Sequence, residues 1–200
     1  MLKLNLPWKS LCVAAFIAAA STASADTSIV PMVQTPMSRA ELVSALREGH
    51  VRVFGREASK NRLAMAWGQV ALENGQGRLT FNHNLGNVVA GRGQLGYRLG
   101  DHQPYRSFIS FADGAEAYWR VISRCMPALL KFDTGRPLDA ALWLKRCRYF
   151  EAEISEYAPG LTKLYTYAQE TVIPEEEHER EERQSLIAAA ESILNPGGNQ

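Results

Sequence analysis

Leu63-Ala64-Met65-Ala66-Trp67-Gly68-Gln69-Val70-Ala71-Leu72-Glu73-Asn74-Gly75-Gln76-Gly77, followed at once by Phe81-Asn82-His83-Asn84-Leu85-Gly86-Asn87-Val88, is the stretch on which the reading of this chain turns. At roughly 100° per residue, Leu63, Ala66, Trp67, Val70 and Ala71 share one apolar stripe of a helix, and Glu73 lies about 20° beyond its edge. Gly75 suits the left-handed position just past a helix end. Glu73 therefore falls in the last turn, where the carbonyl ends of the helix raise the energy of an anion. Partial burial acts in the same direction. Both effects favour the protonated carboxyl and would ready it to donate a proton near neutral pH. A solvated glutamate at a helix end is the alternative that the residues alone leave open.

Upstream, Ser38 and Glu41 make a capping box, and Leu42, Val43 and Leu46 give the apolar side of a helix ending near Gly49. Val51 to Gly55 alternates weakly, as a short strand would. Ser59 or Asn61 caps the central helix, predicted over 60–74. From Gly75 to Gly100 the chain is Gly-rich, carries Arg78, Arg92 and Arg98, and has no Asp or Glu, a composition of loops and short strands. Asn82, Asn84 and Asn87 suit hydrogen bonds to acetamido and hydroxyl groups, and equally suit turns. Ser110 to Asp113 opens a further helix as a second capping box, with Ala115, Tyr118, Trp119 and Ile122 on its apolar side. Met126 to Phe132 is a short apolar piece, and Pro137 at a first helical position starts a helix that reaches about Cys147. Tyr157-Ala158-Pro159-Gly160 punctuates, and a new helix begins at Leu161. The run Glu175 to Arg183 reads as a solvated helix whose apolar end, Leu186 to Leu194, docks on the domain.

The whole string resembles the glucosaminidase branch of the lysozyme-like superfamily, glycoside hydrolase family 73 and the flagellar peptidoglycan hydrolases. That family typically reads Gln-x-x-x-Glu-Ser-x-x-Gly and then Asn-Asn-Leu-Phe-Gly-Ile. The counterparts are Gln69 to Gly77 and His83 to Val88, with Asn74 in place of the Ser and the Phe missing. Tyr105 to Phe108 and Phe111 to Ala115 look like the family's aromatic, strand and helix-opening segment, and Tyr149 falls at its Gly-Tyr motif, with Arg148 in place of the Gly. The resemblance covers residues 38 to 168. It implies an α+β, mainly α, lysozyme-like domain with a helical lobe and a small β-lobe, the latter formed by the Gly-rich segment. It also implies that residues 51–55 join two helices, that Glu73 is the catalytic acid, and that Tyr149 belongs with Asn82, Asn84 and Asn87 in sugar binding.

The composition, 46% hydrophobic and 22% charged, is that of an ordinary globular domain with a real core, and a net charge of +1 gives no reason to expect a nucleic-acid partner. Lys3 and Lys9, the apolar run Leu11 to Ala20 and Ala23-Ser24-Ala25 form the pattern of a secretory signal peptide over 1–25, too short to span a membrane. The expected divisions are then an extended lead-in at 26–37, the glycosidase domain at 38–172, and a charged helix with a disordered end at 173–200. After leader removal Cys125 and Cys147 remain, and an even pair in an exported chain points to a disulfide; two buried thiols are the other reading. The histidines are scattered, so no metal or other cofactor is expected.

Glycosidases that use two carboxylates need a second acid at a fixed distance from the first. Nothing between Asn74 and Gly100 is acidic, which leaves Asp101 as the plausible partner near the β-lobe. Without it the substrate can assist itself, through its N-acetyl group or through the muramic 6-hydroxyl. No nucleophile-elbow motif is present, and the histidines do not gather around a cysteine, so serine or cysteine hydrolysis is not expected. The sequence thus predicts a periplasmic or secreted monomer that cuts the β-1,4 bonds of peptidoglycan glycan strands as an N-acetylglucosaminidase. The alternatives are a muramidase, a lytic transglycosylase using the same Glu73, or a glycan-binding module without activity.

Overall fold

The computed structural model describes residues 27–101 and 103–194. The expected signal peptide and the end at 196–200, expected to be disordered, lie outside the described residues. The fold is mainly helical α+β: strand β1 (Ser28–Ile29), helices α1 (Arg39–Phe54) and α2 (Lys60–Asn74), strands β2 (Leu95–Tyr97) and β3 (Tyr105–Arg106), then α3 (Phe111–Ser123), α4 (Met126–Asp133), α5 (Pro137–Arg146), α6 (Ile154–Tyr167) and α7 (Ile173–Leu194). Five residues of π-helix, Ala168–Val172, join α6 to α7, so residues 154–194 are one continuous helical rod.

The central helix forms where the stripe predicts it. Ser59 accepts a hydrogen bond from the Arg62 N–H at its start, and Gly75 closes it in the left-handed conformation at φ 64°. Its burial exceeds one stripe, because Ala64, Met65, Gly68 and Gln69 are buried together with Leu63, Ala66, Trp67, Val70 and Ala71. A helix apolar on all sides is a core element, and α1, α4 and α6 surround this one. The α6 backbone comes so close that a Cβ on Gly68 would lie 3.0 Å from the Tyr165 nitrogen.

Three expectations about helix ends need correction. α1 does not stop near Gly49 but continues through residues 51–54 to a Gly55 cap, so neither a strand nor a connector begins at Val51. Packing explains the extension: Phe54, in the extra turn, lies 4.5 Å from the His50 ring and 6.2 Å from Trp119, centroid to centroid. α6 starts at Ile154 and passes through Pro159 and Gly160 rather than breaking there. Burial of Tyr157, Ala158 and Leu161 outweighs the one hydrogen bond a helical proline forgoes. Finally, the apolar end of α7 is not docked: Leu186 is 71% exposed and Ile193 78%. α7 is held instead at its start, by Ile173 and by Glu176, whose carboxylate accepts from Arg47 at 2.9 Å and Ser44 at 3.1 Å.

The Gly-rich segment makes a small mixed sheet with the lead-in. β1 runs parallel to β2 and β3 antiparallel to it, in the order β1-β2-β3. The lead-in is extended, as expected, and is also one edge of this sheet. Among the described residues no helix is long and apolar enough to cross a membrane.

Cys125 and Cys147 form a disulfide across the ends of α3 and α5, with Cα atoms 6.0 Å apart and a sequence separation of 22. Closing a loop of that length stabilises by about 3 kcal/mol through the unfolded chain. Urea unfolding of the Cys125→Ser, Cys147→Ser double variant should show a loss of that order.

His50 is fully buried and sits in a polar chain. Its Nδ1 donates to the Arg56 carbonyl at 2.8 Å, so the other ring nitrogen, Nε2, is the acceptor for Arg62 Nη1 at 3.1 Å. Arg62 in turn pairs with Asp133. Burial first, and then the Arg62 and Arg56 charges, lower the His50 pKa against the Arg56 hydrogen bond and Asp133, which raise it. A histidine depressed in the folded state destabilises as pH falls below its unfolded value. Stability should therefore drop with acid from about pH 6.5 downward, and thermal melts of His50→Gln should lose that part of the slope.

Candidate active site

Glu73 occupies the last turn of α2, and the chain beyond it is folded back by side-chain hydrogen bonds. Asn74, in the position of the expected serine, accepts from the Gly77 N–H at 2.9 Å and donates to Thr80 Oγ1 at 3.2 Å. Asn82 accepts from the Val33 N–H at 2.7 Å and donates to the Pro31 carbonyl at 3.0 Å and to Ser107 Oγ at 3.1 Å. It ties the lead-in to the strand segment. Asn84 grips Val88 at both ends, accepting from its N–H and donating to its carbonyl at 2.9 Å each, and also donates to the Arg106 carbonyl at 2.9 Å. The polar atoms of Asn82 and Asn84 are thus committed to the protein's own loop.

The backbone shows why this loop uses asparagine. Asn82, His83 and Asn87 have φ of 47°, 57° and 50°, in the left-handed region that asparagine enters more readily than other side chains. The loop is pressed against the start of α3, where a Cβ on Gly114 would lie 1.9 Å from the His83 carbonyl oxygen. No other residue fits there without moving the loop.

Of the expected sugar-binding asparagines, Asn87 is the one brought to the acid. Its Nδ2 donates to Glu73 Oε2 at 3.0 Å. Glu73 is half-buried as a residue, yet Oε1 is sealed from solvent and lacks a hydrogen-bond partner among the described residues. Burial pushes the Glu73 pKa up to about 8, against the smaller opposing effect of the Asn87 hydrogen bond. The carboxyl is therefore protonated at neutral pH.

Four tyrosines sense the charge of the acid: Tyr105 from β3, Tyr118 from α3, Tyr149 from the α5–α6 connection and Tyr157 from α6. All are buried. Burial first, with the Glu73 charge among the further causes, raises the pKa of each hydroxyl and keeps it neutral. Tyr118 donates to Gln69 Oε1 at 2.6 Å, one turn before Glu73 on the same face of α2. Gln69 Nε2 and the Tyr157 hydroxyl are sealed and without a hydrogen bond of normal geometry. Gln69 had a sequence signal as site lining, a polar residue four before the acid in an otherwise apolar helix. Tyr118 and Tyr157 had none that separates them from ordinary core aromatics.

Asp101 is exposed in the turn after β2. No second carboxylate is among the groups that shift Glu73. Among the described residues no cluster of His, Cys, Asp and Glu could hold a metal ion. No family model, no curated protein and no solved structure matches this chain.

A buried acid has a consequence for stability. A carboxyl whose folded pKa is raised stabilises fully below its unfolded value, and that contribution is lost as pH rises through the folded value. Between about pH 4.5 and about 8 the wild type should lose stability for this reason. Glu73→Gln carries no charge at any pH, so chemical unfolding at pH 8 should find it more stable than wild type, with the difference shrinking toward pH 4.5.

Proposed function

We propose that the chain is an exported peptidoglycan hydrolase with a lysozyme-like fold, cutting β-1,4 bonds of the glycan strand with Glu73 as general acid and with N-acetylglucosaminidase specificity. One observation carries this reading: a carboxyl at a helix end, held by Asn87 and otherwise desolvated, whose pKa near 8 keeps it protonated in neutral solution. Such a group can give its proton to a leaving glycosidic oxygen. The resemblance in the sequence supports the same assignment. It gains support from Arg148, which stands where the family has glycine and adopts φ 57°, the backbone region that glycine favours, next to the buried Tyr149. The disulfide fits an exported protein.

The isolation of Glu73 from other carboxylates favours self-assistance by the substrate. Glu73 protonates the leaving oxygen as the bond from C1 breaks, and the 2-acetamido oxygen closes on C1. Water then opens the ring at C1, giving its proton to the Glu73 carboxylate. The same isolation favours a second reading, lytic transglycosylation, in which the muramic 6-hydroxyl attacks C1 and returns a proton to Glu73.

Digestion of purified peptidoglycan by wild type and Glu73→Gln tests the proposal. The variant should lose roughly 10²-fold or more of the activity. Reducing N-acetylglucosamine ends identify a glucosaminidase, reducing muramic ends a muramidase, and 1,6-anhydro-muramic ends a transglycosylase. Wild type that binds glycan without cutting it would mark a binding module, and equal activity in both proteins would remove Glu73 from the chemistry.

A further inference from the structure

The two oxygens of Glu73 are held differently. Oε2 accepts from Asn87 Nδ2 at 3.0 Å, while Oε1 is sealed and has no hydrogen-bond partner among the described residues. We propose that Asn87 is a positioning residue that distinguishes the two, fixing Oε2 as the carbonyl oxygen and Oε1 as the oxygen that carries the proton. This rests on the reading of Glu73 as the acid.

The argument is one of donors and acceptors. A neutral carboxyl has one hydroxyl oxygen, which donates, and one carbonyl oxygen, which is the better acceptor. An amide N–H aimed at Oε2 therefore favours the form with its hydrogen on Oε1. Asn87 is itself well placed to enforce this. Its neighbour Val88 is clamped at both backbone groups by Asn84, and its own backbone, at φ 50°, takes the left-handed conformation that asparagine tolerates. The titratable groups that sense the Glu73 charge from β3, α3, the α5–α6 connection and α6 are Tyr105, Tyr118, Tyr149 and Tyr157, all neutral in the working range. The surroundings therefore bring no full charge to compete with Asn87. A consequence is that Asn87 does not contact sugar while it holds Glu73, which revises the sugar-binding role expected from sequence.

The test reads the proton without substrate. In the wild type, the side-chain amide protons of Asn87 should move downfield by NMR as Glu73 ionises, with the same midpoint as the Glu73 carboxyl carbon. In Asn87→Leu, which keeps the branched skeleton and removes the donor, that midpoint should rise above the wild-type value of about 8. The alkaline limb of the kcat profile on peptidoglycan should rise with it, at a KM within twofold of wild type. Silent amide protons, or a midpoint that stays or falls in the variant, would overturn the inference. So would a raised KM with an unmoved pH profile. If the leucine variant does not fold, the wild-type amide resonances decide. Should the midpoints behave as stated while wild type cuts no glycan, the glycosidase reading fails and the assignment of the proton stands.

Discussion

Desolvation of a single carboxyl is the constraint around which this molecule is arranged. Glu73 is carried to the end of α2 by a helix buried on every side, and its surroundings offer one amide hydrogen bond and no opposite charge. An isolated ionised carboxylate cannot be kept in such a place at ordinary cost, so the group takes up a proton instead. The tyrosines that sense its charge, Tyr105, Tyr118, Tyr149 and Tyr157, belong to four separate parts of the chain. The acid is thus a property of the whole fold rather than of the segment that contains it.

The second dependence runs through the asparagine loop. Asn74, Asn82 and Asn84 spend their side chains on backbone groups, and this lets a segment with little regular secondary structure hold a fixed path between α2 and β2. Buried backbone polar groups must find partners, and a loop with only isolated β-bridges finds many of them in side chains. Asn87 is therefore presented to Glu73 by a wall that is itself built from asparagine.

Helical period, capping serines, Pro137 and the glycine after Asn74 were enough to place α2, α3 and α5 from the sequence, because local chemistry decides those boundaries. The paired cysteines were legible from their even count after the expected leader. α1 and α6 run longer than their local signals because tertiary packing overrides them: the His50 stack holds the last turn of α1, and the burial of Tyr157 and Leu161 carries α6 through Pro159. At the site, the raised acid could be anticipated from its place on the helix. The division of the asparagines into three that build and one that touches the acid could not, since asparagine in a turn and asparagine in a site read alike. Nor could the grouping of Tyr105, Tyr118 and Tyr157 with Tyr149, since the four come from separate elements that only the fold brings together.

The rod from 154 to 194 has mechanical meaning beyond its role in the core. At about 1.5 Å per residue it is roughly 60 Å long, and its first half is embedded while the stretch beyond Glu176 stands clear. The clasp between Glu176 and the pair Arg47 and Ser44 acts as the fulcrum of a cantilever. Force or drag applied at Leu194 is delivered through that clasp to α1, which packs on α2, the helix that ends in Glu73. A particle shaped in this way tumbles anisotropically, so nuclear relaxation along the outer turns of α7 will differ from that of the body even if the helix never bends.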